Sequence, residues 1–220
     1  NPPPDWAARF PAPAGAPPAD APAPAARDAL RHPAFSCLWI LFFINICCGI
    51  ALIAIASAMA QEQAGLSPKA AAGMVGLMGL FNGFGRIGWS AASDRIGRGR
   101  VWLLFFLLQI AAFLLLPHLR HPLAFQAAVF LILTCYGGGF ATAPAFLGDL
   151  FGTKHLSSLY GVLLTAWSAA GLVGPLLITY LRDSRGDYQA IPLVFASALA
   201  LGLLLQGLLS RSAAKLKNPG

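Results

Sequence analysis

The sequence predicts an all-α membrane protein, a bundle of six transmembrane helices. Three observations lead there. Only 10% of the 220 residues are charged, 57% are hydrophobic and mean hydropathy is +0.68, whereas a soluble globular domain carries roughly 25% charged residues. Six stretches hold no charged residue at all: Pro33–Gln61, Ala70–Gly85, Val101–Pro117, Pro122–Gly148, Leu156–Leu181 and Tyr188–Ser210. Lysine and arginine cluster near the ends of these stretches, more on one side than the other. This composition excludes an ordinary soluble enzyme, a disordered chain and a disulfide-stapled secreted module. The net charge of +7 is scattered between apolar runs and forms no stripe, so nucleic acid is not an expected partner.

Residues 1–33 hold ten of the seventeen prolines, mixed with alanine. Such a segment cannot bury a core and is expected to be an extended cytoplasmic linker. It lacks the basic and apolar regions of a signal peptide. The chain opens on Asn1, and a linker at that point predicts a segment that precedes it.

About 20 mostly apolar residues cross a bilayer, so the expected spans are 34–60, 70–92, 101–118, 123–147, 157–181 and 189–210, with 211–220 as a cytoplasmic tail. The second reaches full length only by running through Arg86 to Ala92. The third is short and spans with little tilt. Orientation follows from the basic residues at the span ends. Arg27, Arg31, Arg95, Arg98, Arg100, Lys154, Arg211, Lys215 and Lys217 fall on one side, against Lys69, Arg120, Arg182 and Arg185 on the other. Both ends of the fragment are therefore expected in the cytoplasm. Six helices behind a cytoplasmic linker are what the second half of a larger transporter would present.

Arg86 is the residue that points to chemistry. It lies eight residues before Asp94, the expected cytoplasmic end of its helix, or about 12 Å along the axis. The apolar half-thickness of a bilayer is about 15 Å. A charge at that depth costs at least about 2.5 kcal/mol and must face a wet cavity or a counter-ion. At 100° per residue Gly76, Gly79, Asn82, Gly83, Arg86, Trp89, Ser90 and Ser93 share one arc, with Leu77, Leu80, Phe81, Phe84 and Ile87 opposite. Gly79 and Gly83 form a G-x-x-x-G spacing that allows close helix contact. A guanidinium grips a carboxylate in bidentate fashion, which makes a small carboxylate the expected partner. The alternatives are a structural ion pair, which would need a carboxylate from outside this chain because none lies deep in these spans, and snorkelling to the headgroups.

Two other helices supply cavity candidates. The fourth carries Tyr136-Gly137-Gly138-Gly139 and Pro144, which read equally as a broken transport helix or as close packing. The fifth carries Thr165 and Trp167; a Trp in mid-span is more often packing than ligand contact. At the end of the second span, Asp94, Arg95, Gly97 and Arg98 combine an acid at a helix end, a glycine turn and topology-fixing bases, and Asp94 could latch the cytoplasmic side shut. Gly83-Phe-Gly85-Arg-Ile-Gly88 matches a dinucleotide fingerprint but sits inside an apolar helix, not after a strand. Gly88-Trp89-Ser90 is a conceivable nucleophile site with no His in any span to serve it, so no enzyme is expected. Neither the histidines nor Cys37, Cys47, Cys48 and Cys135 have metal-site spacing, and no cofactor is expected.

S-A-A-S-D94-R-I-G97-R98-G-R100 resembles the loop between helices eight and nine of the major facilitator superfamily. Within it, NPPPDWAARF, LFNGFGRIGW, CYGGGFATAPAFLGDLFGTKH and YGVLLTAWSAAGLVGP resemble the oxalate/formate antiporter family, over nearly all of the chain taken as a C-terminal half. The resemblance implies alternating access between two six-helix halves around a small-carboxylate site in the inner membrane. It implies that Arg86 matches the substrate-binding arginine of the eighth helix and Trp167 an aromatic cavity residue of the eleventh. Two departures stand out. Ser90 replaces the superfamily's usual glycine. Ser168-Ala169-Ala170 lacks the basic residue that oxalate exchangers carry beyond the tryptophan, which favours a monocarboxylate over oxalate. The expected substrate contacts are thus Arg86, with Asn82, Tyr136, Thr165 and Trp167. No acidic residue lies within these spans to carry a proton, so exchange or facilitated uptake fits this half. A non-transporting assembly or sensor module is the competing expectation.

Overall fold

The computed structural model describes residues 25–185 and 190–217. All regular structure among them is helical. In chain order the helices are α1 (Ala26–Arg31), α2 (Pro33–Ala64), α3 (Pro68–Ile96), α4 (Arg98–Leu115), α5 (Pro122–Phe151), α6 (Leu156–Leu163), α7 (Thr165–Arg185) and α8 (Ala190–Lys217), with a 3-10 turn Leu116–His118 after α4. Most of the expected linker lies outside the described residues. Its last part departs from expectation: α1 forms at Ala26–Arg31, with Asp28 in its first turn, Arg31 in its last and Ala29 buried. This stretch contains no proline, and its alanines and leucine favour helix. At the other end α8 continues to Lys217 instead of stopping at 210.

The helix ends follow from local chemistry. Pro33, Pro68 and Pro122 each occupy a first turn, where the missing N–H costs nothing. The His32 Nδ1 and the Ser67 hydroxyl accept from the N–H groups of Ala34 and Ala70, which caps α2 and α3. Gly65, Gly97 and Gly152 close α2, α3 and α5 at φ of 66°, 92° and 77°. Only glycine adopts that region without strain. These turns set where the chain reverses, and so which helix faces pair.

Five of the described helical stretches are long and apolar enough to cross a membrane: Pro33–Ala64, Arg98–His118, Pro122–Phe151, Leu156–Ser184 and Ala190–Leu209. The 29-residue α3 is not among the five. It has the length, but its glycines, Asn82, Arg86 and serines dilute its hydropathy. Leu80, Phe84 and Ile87 nonetheless stand exposed on it, Ile87 at 73%. An apolar face of that size fits lipid or another protein surface better than water. The fifth expected span, 157–181, also differs: it is interrupted at Leu164, which separates α6 from α7. The Thr165 hydroxyl donates back to the Val162 carbonyl at 2.7 Å, a bond that bends helices.

Helix α2 is apolar on all sides and is the most enclosed element, packing against α3, α5, α7 and α8. Helix α5 touches α2, α3 and α4. Its glycine triplet is the reason. Successive residues on a helix point 100° apart, so three glycines open three directions. A side chain on Gly137 would strike Asn82 of α3, one on Gly138 would strike Phe105 of α4 and Trp89 of α3, and one on Gly139 would strike Asn45 of α2. The triplet serves close packing, and α5 runs unbroken through it and through Pro144. Around Trp102, which is wholly buried, pack Phe42, Phe105, Phe106 and Phe146. Its indole N–H donates to Thr142 at 3.1 Å.

Candidate functional site

Arg86 reaches its place because α3 and α5 cross almost backbone to backbone. Gly85 lies against the main chain of Thr134, and Gly137 lies against the main chain and side chain of Asn82. The expected G-x-x-x-G contact is not the one used: both Gly79 and Gly83 face open space. Gly85 holds the crossing because it points at α5, along the buried line Ala71, Met74, Met78, Gly85 and Ser93. Phe81 belongs to this side as well, stacked on Phe130 with ring centroids 4.3 Å apart. The helical wheel places it opposite Arg86, and the contact with α5 extends onto that side.

From that crossing Arg86 projects from an exposed position. Its Nε donates to Asn82 Oδ1 at 3.2 Å, one helical turn earlier. Its guanidinium carbon stands 5.4 Å from the ring centre of Phe140, a cation–π contact. Phe140 is the hub: Tyr136, Trp167 and Phe42 each meet its ring edge to face, with centroids 5.5, 5.8 and 5.2 Å away. Tyr136 is buried over Gly49 of α2, whereas Trp167 is 48% exposed. Among the described residues no carboxylate pairs with Arg86, and its two terminal nitrogens have no protein partner.

Three of the five expected cavity residues, Arg86, Tyr136 and Trp167, therefore meet at one ring, and Asn82 joins them through its bond to Arg86. Thr165 does not join them. Its hydroxyl accepts the Trp39 indole N–H at 2.9 Å, at the interruption between α6 and α7. Phe140 escaped the sequence reading. Phe140 follows Tyr136 by four residues and so shares its helix face, a signal that an apolar stretch full of Phe conceals.

A second cluster ties together the ends of α3, α4 and α5. Arg98 meets Asp94 at 2.5 Å and Asp149 at 3.6 Å, and also bonds the Ser93 hydroxyl. The turn at Gly97 brings Arg98 back over α3. Asp94, Gly97 and Arg98 thus form one unit, while Arg95 is exposed and takes no part. Asp149 completes the cluster; in sequence it is one acid near the end of α5, with no local partner to mark it.

What the arrangement can do is hold an anion. It offers one cation whose terminal nitrogens meet no partner among the described residues, beside aromatic walls. Comparison with known proteins gives the family. The family model described as Major Facilitator Superfamily matches residues 2–141 and again 38–220. The chain is 30% identical over 149 residues to the oxalate:formate antiporter of Oxalobacter formigenes, covering 67% of this chain and 35% of that protein. It is 26% identical over 118 residues to monocarboxylate transporter 14 of Mus musculus, covering 53% of this chain and 23% of that protein. It is 31% identical over 97 residues to apicoplast pyruvate carrier 2 of Toxoplasma gondii, covering 43% and 15%. The chain spans about a third or less of the length of these relatives. With a family model matched along most of its length and an all-helical, membrane-suited architecture around a buried glycine crossing, the chain belongs to the major facilitator superfamily.

Proposed function

We propose that this chain is the C-terminal half of a secondary transporter that moves a small organic anion across the inner membrane by alternating access. In this reading α3 crosses the bilayer as the second of six spans, its dilute hydropathy reflecting a face turned to the substrate path. Both ends of the fragment lie in the cytoplasm. Arg86 neutralises the substrate carboxylate, Asn82 orients the guanidinium, and Tyr136, Phe140 and Trp167 wall the site. The observation that carries this is the unpaired guanidinium: a charge of that kind in an apolar bundle needs a counter-charge, and the described protein offers none.

A single cation neutralises one carboxylate well and two poorly. Ser168-Ala169-Ala170 supplies no second charge beyond Trp167, so a monocarboxylate is favoured over oxalate. The relatives named for oxalate and formate, for monocarboxylates and for pyruvate support the class. With no carboxylate beside Arg86 to carry a proton, this half suits exchange or facilitated uptake. Asp94, Arg98 and Asp149 close the cytoplasmic side when α3, α4 and α5 are drawn together. The test is uptake of radiolabelled formate, lactate and oxalate by the full-length protein in proteoliposomes, with Arg86 intact and as Arg86→Ala. Arg86-dependent uptake, with lactate or formate preferred to oxalate, is the expected result.

A further inference from the structure

Beneath the aromatic hub two amides are sealed in the bundle. Asn45 of α2 and Gln109 of α4 are each 0% exposed. Gln109 Nε2 donates to Asn45 Oδ1 at 2.8 Å and to the Phe105 carbonyl of its own helix at 3.1 Å. Asn45 Nδ2 donates in turn to the Cys135 carbonyl of α5 at 3.4 Å, and it fills the space over Gly139. Cys135 and Gly139 immediately precede Tyr136 and Phe140. The arrangement is not the most stable filling of that space. Gln109 Oε1 is buried with no protein partner among the described residues, a cost that an apolar side chain of similar volume would avoid. Buried amides kept at such a cost are best attested as devices that fix helix register, since in an apolar interior only one alignment satisfies them.

We propose that Asn45 and Gln109 are positioning residues for the anion site: the amide pair sets the register of α5 against α2 and α4, and thereby places the rings of Tyr136 and Phe140 beside Arg86. This rests on the reading of Arg86 as the substrate's counter-charge. The pair touches neither substrate nor guanidinium; it acts through the helix that carries the rings. Loss of register therefore weakens binding without emptying the site of its charge.

The experiment measures concentration-dependent uptake by the full-length transporter in proteoliposomes, using whichever of radiolabelled formate, lactate and oxalate it carries best. Gln109→Leu preserves volume and removes the bond to Asn45. It is expected to raise the half-saturation concentration about tenfold while the maximal rate per reconstituted protein stays within twofold and the thermal midpoint does not fall. Gln109→Glu, neutral in that apolar setting, keeps a donor toward Asn45 and is expected to restore the wild-type half-saturation concentration. Asn45→Ser, which loses the donor to Cys135, serves if Gln109→Leu does not accumulate and is expected to behave like it. An unchanged half-saturation concentration in these variants, or one raised equally by Gln109→Glu, overturns the positioning role, provided that Arg86→Ala abolishes uptake in parallel. Uptake that survives Arg86→Ala overturns instead the reading of the site on which the proposal stands.

Discussion

At the scale of single residues, the chemistry is set by how Arg86 is held. Among the described residues it has one hydrogen bond, to Asn82, and one aromatic face, Phe140. Under the proposed function the rest of the guanidinium, unpartnered among the described residues, meets the anion. A lysine at this position would keep the charge but lose the planar fork and the stacking. Arg86→Lys is therefore expected to raise the half-saturation concentration for carboxylate uptake at least tenfold, with protein abundance unchanged; uptake kinetics in proteoliposomes check this. That Arg86 has no carboxylate close enough within its own helix to pair with was legible in the sequence, because charge is scarce there. Phe140 was not. Its importance comes from the meeting of α2, α3, α5 and α7 at one ring, and no local pattern among many phenylalanines distinguishes it.

At the scale of elements, glycines decide which helices touch and how closely. Spacing alone pointed to Gly79 and Gly83, but the side chains around them show open space, and the crossing is made by Gly85 against Thr134 and Gly137 against Asn82. A repeat of small residues identifies a helix that can approach another. It does not say which face the partner occupies, since that depends on turns such as Gly97 and on the glycine triplet of α5. Gly85→Ala is expected to destabilise the bundle by about 1–3 kcal/mol through overpacking, while Gly79→Ala is neutral or stabilising, as alanine is the better helix former. Thermal melting in detergent compares the two; equal effects would contradict the assignment. The cluster of Asp94, Arg98 and Asp149 follows the same logic. Arg98→Ala leaves Asp94 and Asp149 without their shared cation, so the ends of α3 and α5 separate. Labelling of a cysteine placed at Ser90 by a cytoplasmic maleimide should rise, and unchanged labelling would remove the cluster from closure.

At the scale of the whole molecule, the sequence's long uncharged runs fall largely within the long helices of the described residues, and helix ends lie up to seven residues beyond the expected spans because the end of an apolar stretch does not itself stop a helix. What the runs could not foresee was the interruption at Leu164, which depends on the Thr165 hydroxyl shared between Val162 and the Trp39 indole. The asymmetry of lysine and arginine predicts that both ends of the described bundle face the cytoplasm. A fluorescent-protein fusion after Gly220 should fold and fluoresce, and a phosphatase fusion there should be inactive; the reverse would invert the orientation. The central claim is that the anion itself supplies the missing partner of Arg86. Its most direct measurement is uptake of radiolabelled lactate, formate and oxalate by the full-length protein carrying Arg86 or Arg86→Ala. The account predicts monocarboxylate uptake with arginine and loss to background with alanine. Uptake unchanged in the alanine variant would contradict it.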